Sequence, residues 1–405
     1  MSIRLCIESL DERGAGVGQV DGRTLHVAGA LPGEDVQAHV EHTSPHRAAG
    51  WARLLKVERR SSDRVDPPCM HFGDCGGCAL MPLRYDAQLR AKEDRVRRAL
   101  GGALGATLAP IEAAREPLGY RQTAKYVVVR RGGHVVLGSY APGTHRVADM
   151  SGCRVARAPI PGVAAAIASL ADETGATPRY VVIRVEGHAA RVVIVAWAPD
   201  PRFSDMAREL RRRNPEVASV LLSVNPSRGN VILGTEEIPL DGDAYNPRRF
   251  RQANPRQAER LYADLTAAAA DGPHRTVLDL YCGSGTIAEA LATLPQCDIV
   301  AVDREPASPR GARFVCADAA KFLEGAPPAD LVVVNPPRRG LGDAVCQQLL
   351  KNSYARLFYV SCMPETFARD LERLRSRFDV EFVRPYDLLP QTPHVELLAG
   401  MRARP

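Results

Sequence analysis

A chain of 405 residues exceeds one ordinary domain, so two or three domains with separate cores are expected. Hydrophobic residues at 45% and charged residues at 25% match folded globular chains and exclude a disordered or fibrous protein. The net charge of +6 is modest, no run approaches ~18 apolar residues, and residues 1–10 lack a basic-then-apolar leader, so the expected protein is cytoplasmic, with no membrane partner.

In chain order, residues 3–57 read as short strands separated by turn signals: Ile3 onward, a loop with Gly14, Gly16 and Gly18, then Thr24–Val27, Val36–Val40 and Ala52–Val57. Several short strands in so few residues suggest a small barrel. The run Gly14-Ala-Gly-Val-Gly, with Asp21-Gly22, Leu31-Pro-Gly-Glu-Asp-Val36 and Ala52–Val57, resembles the TRAM domain, an oligonucleotide-binding-type barrel. Barrels of that kind hold nucleic acid on a strand face and its loops.

Next comes a cysteine group, Cys69, Cys75 and Cys78, with Cys153 in a separate Met150-Ser-Gly-Cys turn. In a reducing compartment such clustering points to metal, not disulfides. Four thiolates suit zinc or an iron–sulfur cluster, and three ligands from one loop with one from afar favour iron and sulfur. The remaining thiols, Cys6, Cys282, Cys297, Cys316 and Cys346, lie in apolar contexts and read as packing residues.

Residues 83–100 have helical spacing, with Leu89, Val96 and Leu100 on one side. From Tyr120 to about Leu240, β-branched runs alternate with turns and two helix-like stretches, a mixed α+β pattern. Only five of the 53 basic residues are lysine, and arginines cluster at Arg95, Arg97 and Arg98, at Arg211, Arg212 and Arg213, and at Arg248, Arg249 and Arg251. Such clusters mark either a phosphate-binding face or a solvated one.

After Asn246, strands alternate with helices: Val277–Tyr281, Ile299–Asp303, Leu331–Asn335 and Leu357–Ser361 read as a parallel sheet with crossovers. The segment Thr276-Val-Leu-Asp-Leu-Tyr-Cys-Gly283-Ser-Gly285-Thr-Ile-Ala288 is a strand, a glycine turn and a helix. Such a turn lets a ligand approach the backbone, and both nicotinamide and S-adenosylmethionine fit the fingerprint. Three further strand-end motifs follow: Asn335-Pro-Pro-Arg-Arg, Ser361-Cys362-Met-Pro, and Asp387 to His394-Val-Glu396. They bring an amide, a thiol and a carboxylate toward one crevice.

Taken with Phe250-Arg-Gln252-Ala-Asn254, these motifs resemble the RNA uracil-C5 methyltransferases, in particular the bacterial 23S ribosomal RNA branch that carries a TRAM domain and an iron–sulfur cluster. The resemblance spans nearly the whole chain. It implies an α/β architecture in which a C-terminal Rossmann-like methyltransferase sheet (246–405) follows a TRAM-like, RNA-binding barrel (1–58) and a mixed α+β middle domain with cluster and RNA contacts (59–245). It implies Cys362 as nucleophile and Glu396 as base, and S-adenosylmethionine held by Gln252, Tyr281, Gly283, Gly285, Thr286, Asp303, Asp318 and Asn335. It implies a [4Fe-4S] cluster on Cys69, Cys75, Cys78 and Cys153, and an RNA partner, 23S ribosomal RNA first and transfer RNA second, for a protein acting as a monomer. Arg338 is a candidate source of positive potential for the thiol.

The sequence departs from the family pattern at Asp303, Thr286, Asn335 and Met363, and the span from Asp303 to Cys316 has no room for the usual crossover helix. A plain loop and a remodelled adenine pocket are expected there. Rival readings are an amino-group methyltransferase, disfavoured because Arg338 stands where an aromatic would stack the base; a nicotinamide oxidoreductase; and an RNA-binding protein whose cofactor site has decayed.

Overall fold

The computed structural model describes residues 2–101, 108–229, 231–249, 251–272 and 274–404; Phe250 of the motif above lies outside them. The chain divides into two units, Met1–Arg84 with Glu116–Arg249, and Tyr85–Arg115 with Phe250–Pro405. The stretch 85–115, which chain order puts inside the expected 59–245 region, therefore belongs to the second unit.

The first unit opens with six strands: β1 (Ser2–Cys6), β2 (Ser9–Leu10), β3 (Gly16–Val20), β4 (Arg23–Ala28), β5 (Asp35–Thr43) and β6 (Ala49–Arg59), ordered β1-β5-β6-β4-β3-β2. Alternate residues point inward, so Leu5, Leu25, Val27, Val36 and Ala38 form a core with Ile7. The sheet curls until β3 meets the chain leaving β1. A Cβ at Gly18 would stand 2.3 Å from the Cys6 carbonyl oxygen, so the glycine run is needed for that approach.

Helix α1 (Tyr85–Leu100) comes next in the chain. The rest of the first unit is β7 (Thr123–Arg131), β8 (His134–Tyr140), β9 (Val147–Asp149), α2 (Ile160–Thr174), β10 (Tyr180–Glu186), β11 (Ala189–Ala196), α3 (Pro201–Arg213), β12 (Val217–Val224) and β13 (Glu236–Gly242). Its strands run β13-β12-β11-β10-β7-β8-β9. α2 and α3 cover one face through Ile160, Ile167, Phe203 and Leu210. On the other face Val182, Val193, Val195 and Leu221 lie under Ile232, Leu233 and Tyr245. Much of the arginine clustering proves internally paired: Arg211 with Asp241, Arg212 with Glu209, Arg213 with Glu173 and Glu209, and Arg248 with Glu237.

The second unit contains α4 (Pro255–Ala270), β14 (Thr276–Leu280), α5 (Thr286–Leu291), β15 (Asp298–Asp303), β16 (Arg313–Cys316), α6 (Ala319–Glu324), β17 (Leu331–Val334), α7 (Asp343–Lys351), β18 (Arg356–Ser361), α8 (Pro364–Leu374), β19 (Phe378–Tyr386) and β20 (Glu396–Ala403). The order is β16-β15-β14-β17-β18-β20-β19, parallel through β18 and antiparallel at β20. Strands buried on both faces are nearly all apolar, as Leu-Val-Val-Val of β17 illustrates. The order in which strands are added reverses between β14 and β17, which opens a crevice at the carboxyl ends of these parallel strands. β15 and β16 are joined without a helix, as expected; β16 pairs over only four residues, so a short loop suffices. No helix among the described residues is long and apolar enough to cross a membrane.

Candidate active site

Two cavities flank one wall. A cavity of about 630 Å³ is lined by Tyr281, Asp303, Asp318, Asn335, Pro337 and Arg339, among others. A much smaller one, about 30 Å³, is lined by Arg338, Cys362, Leu388, Leu389, His394, Val395 and Glu396. Within Asn335-Pro-Pro-Arg-Arg, residues 335, 337 and 339 face the large cavity and 338 the small one, so this segment divides them.

The large cavity is built by strand ends. Tyr281 leaves β14 with φ +60°, a strained value for a non-glycine residue, and its half-buried ring lines the cavity. Burial, and then the charge of Asp318, pushes its phenol up to about 12. Asp303, at the end of β15, accepts the Gly283 N–H at 2.8 Å and so fixes the glycine turn. Asp318 caps α6 by accepting the N–H groups of Ala320 and Lys321, and pairs with Arg304.

The remaining cofactor candidates fall elsewhere. Gly285 has φ +82°, but what approaches it is Pro309: a Cβ there would stand 2.4 Å from the proline Cβ. The short loop after β15 thus folds over the turn, and close ligand approach at Gly285 is replaced by packing. Thr286 faces Ser284, hydroxyl to hydroxyl at 3.1 Å. Gln252 hydrogen-bonds the Tyr262 phenol, which also feels the charges of Glu396 and Asp279. Asn254 of the same motif is the N-cap of α4, accepting from the Gln257 N–H.

In the small cavity Cys362 occupies the turn between β18 and α8. Ser361 holds that turn, its hydroxyl donating to the Met363 carbonyl and accepting the Met363 N–H. Burial raises the thiol above its ordinary value, and the charge of Glu396 raises it further; Arg338 opposes both by charge and by a hydrogen bond to the sulfur. Burial pushes Glu396 up to about 8, again countered by Arg338. Thiol, carboxyl and guanidinium therefore meet at one point. A cavity of this volume matches roughly one water molecule, so a group the size of an aromatic ring enters only by displacing side chains such as Leu388 and Leu389.

Some of this machinery carried no recognised signal in the sequence. Asp279, inside β14, is wholly buried, and burial pushes it up to about 8. Helix α1 sends a stripe of side chains to the loop 387–393 that leads to Glu396. Tyr85 donates to Asp387 at 2.8 Å, Gln88 and Gln391 exchange two hydrogen bonds, Lys92 pairs with Asp387 and donates to the Leu389 carbonyl, and Arg95 donates to the Pro393 carbonyl. Arg95 also grips Glu365 with both arms. Its spacing with Tyr85, Gln88 and Lys92 is that of one helix face, and Arg95 is a buried brace, not part of a basic surface.

In the first unit the loop carrying Cys69, Cys75 and Cys78 docks beside Cys153. His71 bonds the Ser151 carbonyl at 3.0 Å, and the Cys75 sulfur lies 3.8 Å from the Ser139 hydroxyl. Cys78 is pushed up to about 12 by burial and by the charges of Cys153, Cys75 and Cys69, so all four thiols share one neighbourhood, with Arg121 beside them. Among the described residues no three metal-ligating side chains are arranged around a single ion. Cys69, Cys75, Cys78 and Cys153 are all free thiols. Cys282 and Cys346 are buried as expected, whereas Cys6 and Cys316, each the last residue of its strand, are exposed.

Known proteins resemble the chain along its length. The family model described as tRNA (uracil-5-)-methyltransferase matches residues 328–401, the region of the dividing wall, Cys362 and Glu396. An uncharacterised RNA methyltransferase of Halalkalibacterium halodurans is 33% identical, over 99% of this chain and 97% of that one. Another, from Bacillus cereus, is 32% identical over 98% and 96%. The crystal structure of Pyrococcus abyssi tRNA (uracil-54, C5)-methyltransferase in complex with S-adenosyl-L-homocysteine superposes with a TM-score of 0.78 at 24% identity, covering 98% of this chain and 99% of that one. That likeness establishes a common fold.

Proposed function

This chain belongs to the RNA methyltransferase family described as uracil-5-specific, and from that premise we propose that it methylates carbon 5 of uridine in RNA, with S-adenosylmethionine as donor. The carrying observation is the wall Asn335–Arg339, with a nucleotide-sized cavity on one side and a half-buried thiol beside a buried carboxyl on the other. The resemblance of the barrel and the four-cysteine set favours 23S ribosomal RNA. Transfer RNA is the second reading, supported by the printed substrate of the Pyrococcus protein.

Tyr281, Asp303, Asp318 and Asn335 would hold the donor: the ring would cover an aromatic system, the carboxylates would accept hydrogen bonds from hydroxyls, and the amide would bond a heterocycle edge. When bound, S-adenosylmethionine supplies an electrophilic methyl group. Carbon 5 of uracil is too weak a nucleophile to take it unaided. Addition of the Cys362 thiolate to carbon 6 would place the electron pair on carbon 5 and its conjugated carbonyl, and carbon 5 would then take the methyl group as the donor's methyl–sulfur bond breaks. Glu396, in its ionised form, takes the carbon-5 proton; the carbon 6–sulfur bond breaks and the thiolate leaves. Arg338 offsets negative charge first on the sulfur and then on the carboxylate.

Cys69, Cys75, Cys78 and Cys153 would hold a [4Fe-4S] cluster with a structural role, since no methylation step consumes electrons. Anaerobic reconstitution checks this assignment: Cys78→Ser should lose the iron and the visible absorbance that the wild type retains. For the activity, RNA containing 5-fluorouridine blocks proton removal, so the enzyme with S-adenosylmethionine should form a covalent adduct. Cys362→Ala should form none; full methyl transfer by that variant would exclude this mechanism.

A further inference from the structure

The middle sheet of the first unit leaves part of one face open. Direct pairing puts Lys125 opposite Val182, and Val127 opposite both Tyr180 and Gly138, so these residues share the face turned away from α2 and α3. Tyr140, two residues past Gly138, falls on the same side. Toward β11 and β12 this face is covered by Ile232, Leu233 and Tyr245. Toward β7 and β8 it is not: Lys125 is exposed and Val127 and Val129 are half-buried.

Along this open part runs a strip of rings. Tyr140 and Trp197 are each 48% exposed, unusual for side chains of that size. The phenols of Tyr140 and Tyr180 lie beside each other. Arg179 lies 5.0 Å from the Tyr180 ring centre and 3.9 Å from that of Trp197, its guanidinium steadied by the Asn225 and Ser227 carbonyls. Neither β7 nor β8 contains an acidic residue, while Lys125 adds a cation. Exposed π faces, a flat guanidinium and a lysine suit flat, anionic polymers of aromatic rings, and the carboxylates that share this face are engaged, Asp149 by the Ser151 N–H and Glu186 by Arg191. Single-stranded RNA-binding sheets use this chemistry, stacking unpaired bases on aromatics while cations meet the phosphates.

We infer that Tyr140, Tyr180, Arg179 and Trp197 form a stacking platform for unpaired nucleotides of the RNA substrate. The inference rests on the reading of RNA as substrate and adds where, and in what form, the strand is gripped. A target uridine must leave its stack to be modified, and a platform for unpaired neighbours favours substrate already opened at that place. The Cys75–Ser139 contact joins the loop of Cys69, Cys75 and Cys78 to the strand bearing Tyr140, so that loop braces the platform's edge.

The sequence has two tryptophans, so Trp51→Phe leaves Trp197 as the only reporter in the full-length chain. Titration with a single-stranded uridine-containing oligonucleotide should quench its emission, and the same sequence in duplex should not. Trp197→Ala and Tyr140→Ala should each weaken RNA binding and raise the KM for RNA by about tenfold, the size of one lost base stack, with kcat at saturating RNA and affinity for S-adenosylmethionine unchanged. Trp197→Phe, which keeps a ring, should restore most of the affinity. Absence of quenching, or a wild-type KM in both alanine variants, overturns the platform; if those variants still form the 5-fluorouridine adduct, the catalytic reading survives it. Loss of self-association in Trp197→Ala, seen by sedimentation, with RNA affinity intact, would make the face a contact between copies and also overturn the proposal.

Discussion

The two cavities of the second unit are built on opposite plans. The larger is wide, its carboxylates are engaged by nearby backbone and by Arg304, and most of its lining comes from consecutive strand ends within about sixty residues of chain. The smaller is tight, its carboxyl is buried and its thiol half-buried, and the loop beside them is held by α1 from about 300 residues away. A cavity that must release a small molecule at every turnover tolerates open, local construction. One that must hold a sulfur and a carboxyl in attacking geometry needs its second layer fixed.

The contrast predicts that damage on the two sides differs in kind. The largest effect belongs to Glu396→Gln: the adduct should form on ordinary uridine RNA and persist, since the proton on carbon 5 has no acceptor, visible as a protein–RNA band stable to denaturant. Release of product at the wild-type rate would remove Glu396 from the base role. Next comes Lys92→Met, which leaves Asp387 buried without its cation. Breaking one partner of such a pair costs about 3–5 kcal/mol, measurable by denaturant unfolding, and adduct formation should fall with it. Adding Asp387→Leu should recover part of the stability, because the stranded charge is gone.

A third prediction concerns pH. Glu396 and Asp279 are both raised to about 8 by burial, whereas in the unfolded chain each titrates near 4. Below about 4 both states are protonated and the protein keeps the full benefit; between about 4 and 8 the unfolded chain loses protons first, so stability falls as pH rises. Asp279→Asn should flatten that fall in melting temperature. In the small cavity the sign is coupled. Removing the Glu396 charge relieves repulsion on Cys362, so alkylation of the Cys362 peptide, followed by mass spectrometry, should shift to lower pH in Glu396→Gln.

What the sequence disclosed follows the same division. The glycine turn, Asn335-Pro-Pro-Arg, Ser361-Cys362 and Glu396 are legible because each sits at a strand end, where a local pattern of apolar run and polar stop fixes position. The short loop after Asp303 was also readable, by counting. The α1 brace was not: Arg95 looks like any arginine in a basic helix, and only the fold brings Glu365 and Pro393 to it. Asp279 was hidden differently, as one carboxyl inside an otherwise apolar strand, and Gly285 shows a motif glycine whose close neighbour is Pro309. Long-range pairing leaves no periodic trace, so it must be seen in three dimensions.

The smallest effect is expected at the rim of the large cavity. Arg304 pairs with Asp318 in the open, where water screens the attraction and holding two mobile side chains offsets what remains. Asp318 keeps its position without the arginine, because two backbone N–H groups of α6 already bind it. Arg304→Ala should therefore leave the melting temperature unchanged and alter the KM for S-adenosylmethionine by a few-fold at most, with adduct formation on 5-fluorouridine RNA intact at saturating donor. A loss as deep as that of Lys92→Met would mean that the open cavity depends on remote bracing as much as the closed one does. The two plans would then be one.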